Sequence, residues 1–113
     1  MTSYLQAGVN LDAAARWVQK LKTASSSIGG FGGFYPLGED YLVASTDGVG
    51  TKLKLAFALD RHEIVGIDLV AMNVNDILTC GAKPLFFLDY IATSKLELLQ
   101  MEKVMAGILQ GCS

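Results

Sequence analysis

The chain has 113 residues, about the size of one domain, and a domain of this length buries roughly two thirds of the surface that its unfolded form exposes. Half of the residues are hydrophobic (51%), and the formal net charge is only −2. These values argue against a disordered chain and against a general nucleic-acid-binding surface, so we expect no nucleic-acid partner.

The sequence also lacks the usual signals of a membrane, secreted or zinc-binding protein. No apolar run approaches the roughly 18 residues that span a bilayer, and the N-terminus has no basic segment followed by an apolar core. Cys80 and Cys112 form no CxxC pair, and His62 is the only histidine. We expect reduced thiols, a cytoplasmic location, no membrane partner, and a surface position without a catalytic role for His62.

The first half of the chain contains a predicted helix, a loop and two strands. Asn10 can cap a helix over residues 11–23, where apolar residues recur at helical spacing. Residues 25–38 are rich in glycine and serine, so we expect a mobile loop without regular structure that can cover a ligand. Residues 41–46 are β-rich and residues 53–59 alternate in polarity, which predicts two strands around the polar segment between them.

The pattern becomes helical and apolar over residues 64–80. Four polar residues of this helix fall on one face: Asp68, Asn75, Asp76 and Thr79. A polar stripe on a mostly buried helix is costly unless its groups bind partners, so this face should border a site or solvent. Asp68 and Asp76 lie roughly 12 Å apart along the helix, so one metal ion is not readily bound by both.

Gly81 ends this helix, residues 82–93 predict a strand with a very apolar centre, and residues 96–112 predict a last helix. The order is helix, strand, strand, helix, strand, helix. It predicts an α+β domain in which helices pack on a small mixed sheet. Such a sheet has few strands for a stable monomer.

The segment "STDGVGTK", residues 45–52, has the composition of a phosphate and magnesium site. Gly48 and Gly50 permit close backbone approach, Lys52 can meet phosphate oxygens, and Asp47 can bind a hard cation. The alternative is an ordinary hairpin, since Asp-Gly is a common turn dipeptide, and the two interpretations are compatible. The spacing excludes a Walker A loop, in which serine or threonine follows the lysine.

Asp76, with Asn75 beside it, is the best partner for Asp47 across space, around phosphates bridged by magnesium. The alternative is that Asp76 is a solvated polar residue or one satisfied within the core. Composition alone leaves both interpretations open.

Three stretches in register resemble one enzyme family: "STDGVGTKLKLA", "GIDLVAMNVNDIL" and "GAKPLFFLDYIAT". The chain resembles the phosphoribosylformylglycinamidine cyclo-ligases, also called aminoimidazole ribonucleotide (AIR) synthetases. The resemblance implies an enzyme that uses ATP and Mg²⁺ to close the imidazole ring of formylglycinamidine ribonucleotide in the fifth step of purine synthesis. Such phosphoryl transfer depends on positioning and charge neutralisation more than on a protein nucleophile.

The resemblance also implies roles for individual residues. Asp47 and Asp76 would hold the magnesium, and Lys52 and Asp76 would be catalytic. The nucleotide-binding residues implied are Lys22, Asp47, Gly48, Gly50, Thr51, Lys52, Asp68, Asn75 and Asp76. A flexible glycine loop would consist of Gly29, Gly30, Gly32 and Gly33. The sequence departs from the family pattern at Asn10 and Ala14, where aspartate and glycine are usual, and at Asn73, where cysteine is frequent.

The family continues beyond the last stretch of this sequence into a second α/β domain, so the resemblance covers an N-terminal portion. We expect residues 1–38 to form an N-terminal helix and glycine-rich flap, and residues 39–113 part of the ATP-binding domain. Little or no turnover is expected from this portion alone.

In the family, N-terminal domains pair so that the sheets of two subunits join into a barrel, which implies a homodimer. Other interpretations remain open at this point. The chain could be a non-catalytic fragment that dimerises or binds nucleotide. It could also belong to another ATP-using branch, such as formylglycinamidine ribonucleotide synthase or selenophosphate synthetase.

Overall fold

The computed structural model describes residues 3–25 and 30–113, which form four helices and one two-stranded sheet. In chain order the elements are α1 (Leu11–Ala24), β1 (Gly33–Leu37), β2 (Asp40–Ala44), α2 (Lys52–Leu59), α3 (Glu63–Thr79) and α4 (Leu98–Gly111). The chain is therefore α+β, as predicted, although its sheet is antiparallel rather than mixed. None of the helices in the described ranges has the length and apolar character needed to cross a bilayer.

Helix α1 begins where the sequence predicts, because Asn10 caps it. The Asn10 side chain accepts a hydrogen bond from the backbone N–H of Ala13 at 2.9 Å, which satisfies one of the free amides of the first turn. The helix buries none of its residues, and both Leu11 and Trp17 are 61% exposed. Capping and helix propensity, rather than burial, account for its formation.

A β-hairpin replaces part of the predicted loop. Strands β1 and β2 pair antiparallel, and Gly38 and Glu39 form the two-residue turn between them. Gly38 has a φ of 65°, which glycine adopts without steric cost. The prediction of no regular structure over 25–38 is thus wrong for residues 33–37, while residues 26–29 lie outside the described part of the chain.

The strand predicted after the polar segment is also wrong, because residues 53–59 are helical in α2. Their alternating pattern is compatible with a helix as well, since Leu53 and Phe57 lie about one turn apart. The segment contains no β-branched residue, and its leucines, lysine and alanines are strong helix formers. Propensity outweighs alternation here, whereas β2 confirms the strand predicted at 41–46 for residues 41–44.

Helices α3 and α4, both predicted, form the packed centre of the structure. They meet where glycines bring the two backbones into contact. A Cβ atom at Gly66 would collide with the backbone carbonyl oxygen of Val104, and one at Gly107 would collide with that of Glu63. Val70 and Ile108 are buried at this contact, whereas Val65 is buried on the side of α3 that faces α2.

Residues 82–93 form neither helix nor strand, so the strand predicted there is wrong for this chain. A β-strand exists only when a neighbouring strand supplies hydrogen-bonding partners, and the single sheet described contains β1 and β2 alone. Most apolar side chains of the segment are exposed, including Leu85 (74%), Leu88 (82%) and Tyr90 (89%).

The described chain is less compact than a typical domain of its length. Its radius of gyration is 16.9 Å, compared with about 13 Å for a compact domain of roughly 100 residues. The buried hydrophobic residues within the described part number five: Val49, Ala56, Val65, Val70 and Ile108. Much apolar surface is therefore left for contacts outside this single chain.

Candidate functional site

The polar segment 45–52 lies along α3 and runs antiparallel to it. Ser45 donates from Oγ to Oδ2 of Asp76 at 2.7 Å, near the end of the helix. At the other end of the segment, Nζ of Lys52 lies 2.7 Å from Oδ2 of Asp68. The structure therefore brings together the two parts of the chain that the sequence predicts to form one site.

A third contact, between these two, involves Asn73. The backbone N–H of Asp47 donates to Oδ1 of Asn73 at 2.9 Å, and Nδ2 of Asn73 donates to the carbonyl oxygen of Asp47 at 3.3 Å. The sequence marks Asn73 only as a departure from the family pattern and predicts no role for it. A signal was present, because Asn73 lies three residues before Asp76 and so shares a helix surface with it.

An apolar anchor holds the middle of the segment. Val49 is 8% exposed and belongs to the same cluster as Ala56 of α2 and Val65 of α3, with Leu69 packed against it. Burial of this one side chain fixes the loop between its polar contacts, so the glycines on either side need not be flexible for the loop to reach α3.

The end of the segment is the N-terminus of α2, and this helix changes the interpretation of the motif. The amides of Leu53 and Lys54 bond to the carbonyls of Gly50 and Thr51. Within the described chain, the amides of Gly50, Thr51 and Lys52 donate no hydrogen bond. Free amides at a helix N-terminus attract anions, and the positive end of the helix dipole adds to that attraction. The hairpin alternative is wrong, because the helix α2, and not a strand, follows the Asp-Gly pair.

Two carboxylates lie toward the other end of the segment, near Ser45. Asp47 accepts the N–H of Gly48 through Oδ1 at 2.7 Å, and Asp76 is half-buried. Since Asp47 is bonded to Asn73, and Asn73 and Asp76 are three residues apart on α3, the two acids belong to one surface of the molecule. Asp68, the third acid of the helix face, is occupied by Lys52.

The donor set fits a magnesium ion that is shared with phosphate. Among the residues described, no group of three or more histidine, cysteine, aspartate or glutamate side chains could hold a metal. Magnesium is commonly held by one or two carboxylates together with phosphate oxygens and waters, so Asp47 and Asp76 suffice for that type of binding. A site formed by protein ligands alone is not supported.

Other predicted residues do not meet this surface. Lys22 lies exposed on α1 and makes no hydrogen bond or ion pair with the 45–52 segment in the described chain. Asn75 is exposed on α3. Of the glycine loop, Gly32 is buried against Val43 and Cys80, whereas Gly29 lies outside the described residues.

His62 is buried, so its predicted surface position is wrong. It is 5% exposed, packs edge-to-face on Phe57 with ring centroids 5.2 Å apart, and places Nε2 3.2 Å from Oδ1 of Asp60. Lys103 of α4 donates to both carboxylate oxygens of Asp60 at 3.2 Å. The hydrogen bonds and charge of Lys103, and secondarily His62, lower the pKa of Asp60.

An open groove of about 910 Å³ lies along the start of α4 and includes Asp60, Glu97 and Lys103 in its lining. No residue of α3 or of the 45–52 segment lines it. The groove is thus separate from the surface on which the predicted site residues meet.

The part of the chain that contains segment 45–52 and α3 also matches a known protein family. Residues 32–113 match the family model "AIR synthase related protein, N-terminal domain". A chloroplastic phosphoribosylformylglycinamidine cyclo-ligase of Arabidopsis thaliana is 60% identical over 110 residues, which cover 97% of this chain and 28% of that protein. The chloroplastic/mitochondrial cyclo-ligase of Vigna unguiculata gives the same values.

A bacterial relative, the phosphoribosylformylglycinamidine cyclo-ligase of Crocosphaera subtropica, is 53% identical over 122 residues. That match covers 96% of this chain and 36% of the bacterial protein. The chain thus spans about a third of the length of the curated relatives it matches.

Proposed function

The chain belongs to the AIR synthase related protein family, as its N-terminal domain, and on this basis we propose that it is part of an ATP-dependent cyclo-ligase. The reaction closes the imidazole ring of formylglycinamidine ribonucleotide, giving aminoimidazole ribonucleotide, ADP and phosphate in purine biosynthesis. The observation that carries the proposal is the contact of segment 45–52 with α3. Ser45 and the Asp47 backbone bond to Asp76 and Asn73. At the other end of the segment, Lys52 begins α2 and pairs with Asp68.

In this proposal the amides of Gly50, Thr51 and Lys52 bind phosphate oxygens of ATP at the N-terminus of α2. Lys52 contributes its positive charge, and Asp76 with Asp47 holds Mg²⁺. Magnesium held by these residues would neutralise phosphate charge in the transfer of a phosphoryl group to the amide oxygen of the substrate. No nucleophilic side chain is required.

The ion pair between Lys52 and Asp68 indicates that Asp68 positions the Lys52 side chain and does not itself contact the nucleotide. The Lys52 side chain is 52% exposed, so its ammonium is accessible to a phosphate while Asp68 holds it beside α2. Lys22, Gly48 and Asn75 remain proposed nucleotide-binding residues on the strength of the family resemblance alone.

We also propose that the chain forms a homodimer, with sheets of the two subunits joined as a barrel. The exposed apolar run of residues 82–93 supports this, since its predicted strand has no neighbouring strand to pair with in the described chain.

The division into a flap (1–38) and an ATP-binding part (39–113) remains a proposal, as does a cytoplasmic location. The two plant relatives are themselves named as organellar proteins.

Titration calorimetry with magnesium–ATP tests the nucleotide site. Lys52→Met should weaken binding about tenfold, because a hydrogen bond to a charged group contributes roughly 1.5–3 kcal/mol. Lys54→Met, two residues further along α2 and also exposed, is the matched control and should bind as the wild type does. Equal affinities of the two variants would refute the proposed phosphate site.

A second experiment addresses the metal. Asp76→Asn should reduce the gain in ATP affinity that Mg²⁺ provides and leave the affinity for ATP without metal nearly unchanged. If Asp76→Asn kept the full magnesium-dependent gain, the metal assignment would be wrong.

Nucleotide binding without catalysis is a second candidate function, favoured by the free amides at the N-terminus of α2, which can bind a phosphate without a catalytic step. An assay of ATP-dependent ring closure separates the two. It is run with the chain alone and with the remaining portion of a relative supplied in trans. ATP binding in the absence of turnover under both conditions would favour the second candidate.

A further inference from the structure

Asn73 makes three hydrogen bonds through one half-buried side chain. Its Oδ1 accepts the Asp47 N–H at 2.9 Å, and its Nδ2 donates to the carbonyl oxygens of Asp47 at 3.3 Å and of Leu69 at 2.9 Å. The partners fix the orientation of the amide, since a flipped side chain would face donor with donor and acceptor with acceptor.

These bonds hold the two peptide groups on either side of Asp47. The N–H of Asp47 belongs to the peptide group that precedes its Cα, and the carbonyl belongs to the one that follows. Because each peptide group is planar, fixing one atom of each restricts both dihedral angles of Asp47. The bond to Leu69, four residues earlier on α3, fixes the Asn73 side chain against its own helix.

The direction of the Asp47 carboxylate follows from this geometry. In a trans peptide the carbonyl of Asp47 and the N–H of Gly48 point in opposite directions, and the described chain contains no cis peptide. The Asp47 carbonyl faces Asn73, so the Gly48 N–H points away from the Asn73 amide. That N–H donates to Oδ1 of Asp47 at 2.7 Å and so holds the carboxylate on the side away from Asn73.

We propose that Asn73 is a positioning residue that aims the carboxylate of Asp47 for binding of a divalent cation, acting through the two peptide groups of Asp47. The inference rests on the proposed magnesium–ATP function. Asparagine suits the position because it offers an acceptor and a donor on one short planar group. Aspartate has the same shape but presents only acceptors to the two carbonyls, and alanine presents nothing.

The first readout is amide hydrogen exchange, followed residue by residue by NMR on the 113-residue chain. Asn73→Ala and Asn73→Leu should each accelerate exchange of the Asp47 amide about tenfold, since both remove the side-chain oxygen that accepts its N–H. Amides near Val70 and Ile108 in the packed helices report whether the variant remains folded. Gln110→Ala, an exposed amide side chain on α4, is the matched control and should change none of these rates.

The second readout is ATP affinity with and without Mg²⁺. Asn73→Ala should lower the magnesium-dependent gain in affinity about tenfold and leave binding of metal-free ATP unchanged, because the phosphate-binding amides lie beyond the Asn73 contact. A purely structural role would weaken both affinities in parallel. If the alanine variant unfolds, Asn73→Leu, which is close to asparagine in size and makes none of the three hydrogen bonds, decides with the same two readouts.

The outcomes separate this inference from the proposed function. Wild-type binding of magnesium–ATP with an unchanged magnesium gain in Asn73→Ala would overturn the positioning role and leave the function intact. Unchanged Asp47 exchange would also overturn it, since the two peptide groups would then not depend on Asn73. A wild-type chain that binds no magnesium–ATP would refute both.

Discussion

Two apolar regions of this chain differ in what happens to their side chains. Helices α3 and α4 meet backbone to backbone at Gly66 and Gly107 and bury Val70 to 4% exposure. Residues 82–93 are also strongly apolar, yet Leu88 remains 82% exposed. A helix satisfies its own backbone hydrogen bonds and needs only a face to pack on, whereas a strand needs a neighbour for its backbone as well. The two regions are similarly apolar. What differs is whether the segment can satisfy its backbone hydrogen bonds within itself, and only the region that can do so is buried here.

The largest expected effect concerns the contact between the two helices. Gly107→Ala should destabilise the chain by about 3 kcal/mol, because the added methyl group would occupy the space of the Glu63 carbonyl oxygen and force the helices apart. Gly111→Ala, on the same helix, meets only the Val70 side chain, with the nearest atom at 2.9 Å, and should cost less. Urea unfolding followed by circular dichroism measures both free energies.

Gly30→Ala is the control for this series, since the nearest atom to its new Cβ would be 3.8 Å away. Its free energy of unfolding should stay within about 0.5 kcal/mol of the wild-type value. Equal stability of Gly107→Ala and Gly30→Ala would contradict the view that backbone contact holds the packed region together.

Helices with caps or long apolar periodicity could be predicted from the sequence, because their signals are local. Asn10 marks the start of α1, and α3 and α4 show the expected periodicity. The two wrong strands have different causes. At residues 53–59 helix propensity outweighs alternation, and at residues 82–93 the pattern is that of a strand whose pairing partner the single chain does not supply.

The candidate site was predictable in its charged residues and less so in its geometry. Asp47, Lys52 and Asp76 stand out as chemical types at a glycine-rich segment. Asn73 is marked only by its place on the same helix surface as Asp76, and its role depends on which residue of a distant loop lies opposite it. The free amides at the start of α2 exist only because residues 52–59 form a helix, whereas their alternating pattern predicts a strand.

The second region can be tested through association. Leu88→Lys should raise the dissociation constant of the proposed homodimer about tenfold or more, since burial of one leucine contributes roughly 1.5–3 kcal/mol. Sedimentation velocity over a range of concentrations measures this constant. Leu5→Lys, at another exposed position (66%), should not change it. If neither variant altered association, the exposed run would not be a pairing surface, and its contrast with α3 and α4 would need another explanation.

The smallest expected effect comes from the ion pair that joins the turn after α2 to α4. Lys103 lowers the pKa of Asp60 from 3.8, so the pair stabilises the folded chain above that pH and loses its effect as pH falls through the lowered pKa. Lys103→Met should therefore raise the pKa of Asp60, and its deficit in stability relative to the wild type should disappear in acid. Carboxyl NMR titration measures the pKa, with Lys54→Met as the control.

Because Asp60 is exposed, the effect of Lys103→Met on stability at neutral pH should be far below that of Gly107→Ala. Lys103→Met could instead lower the free energy of unfolding as much as Gly107→Ala does. In that case the Asp60–Lys103 ion pair, and not backbone contact between α3 and α4, would distinguish the packed region from the exposed one.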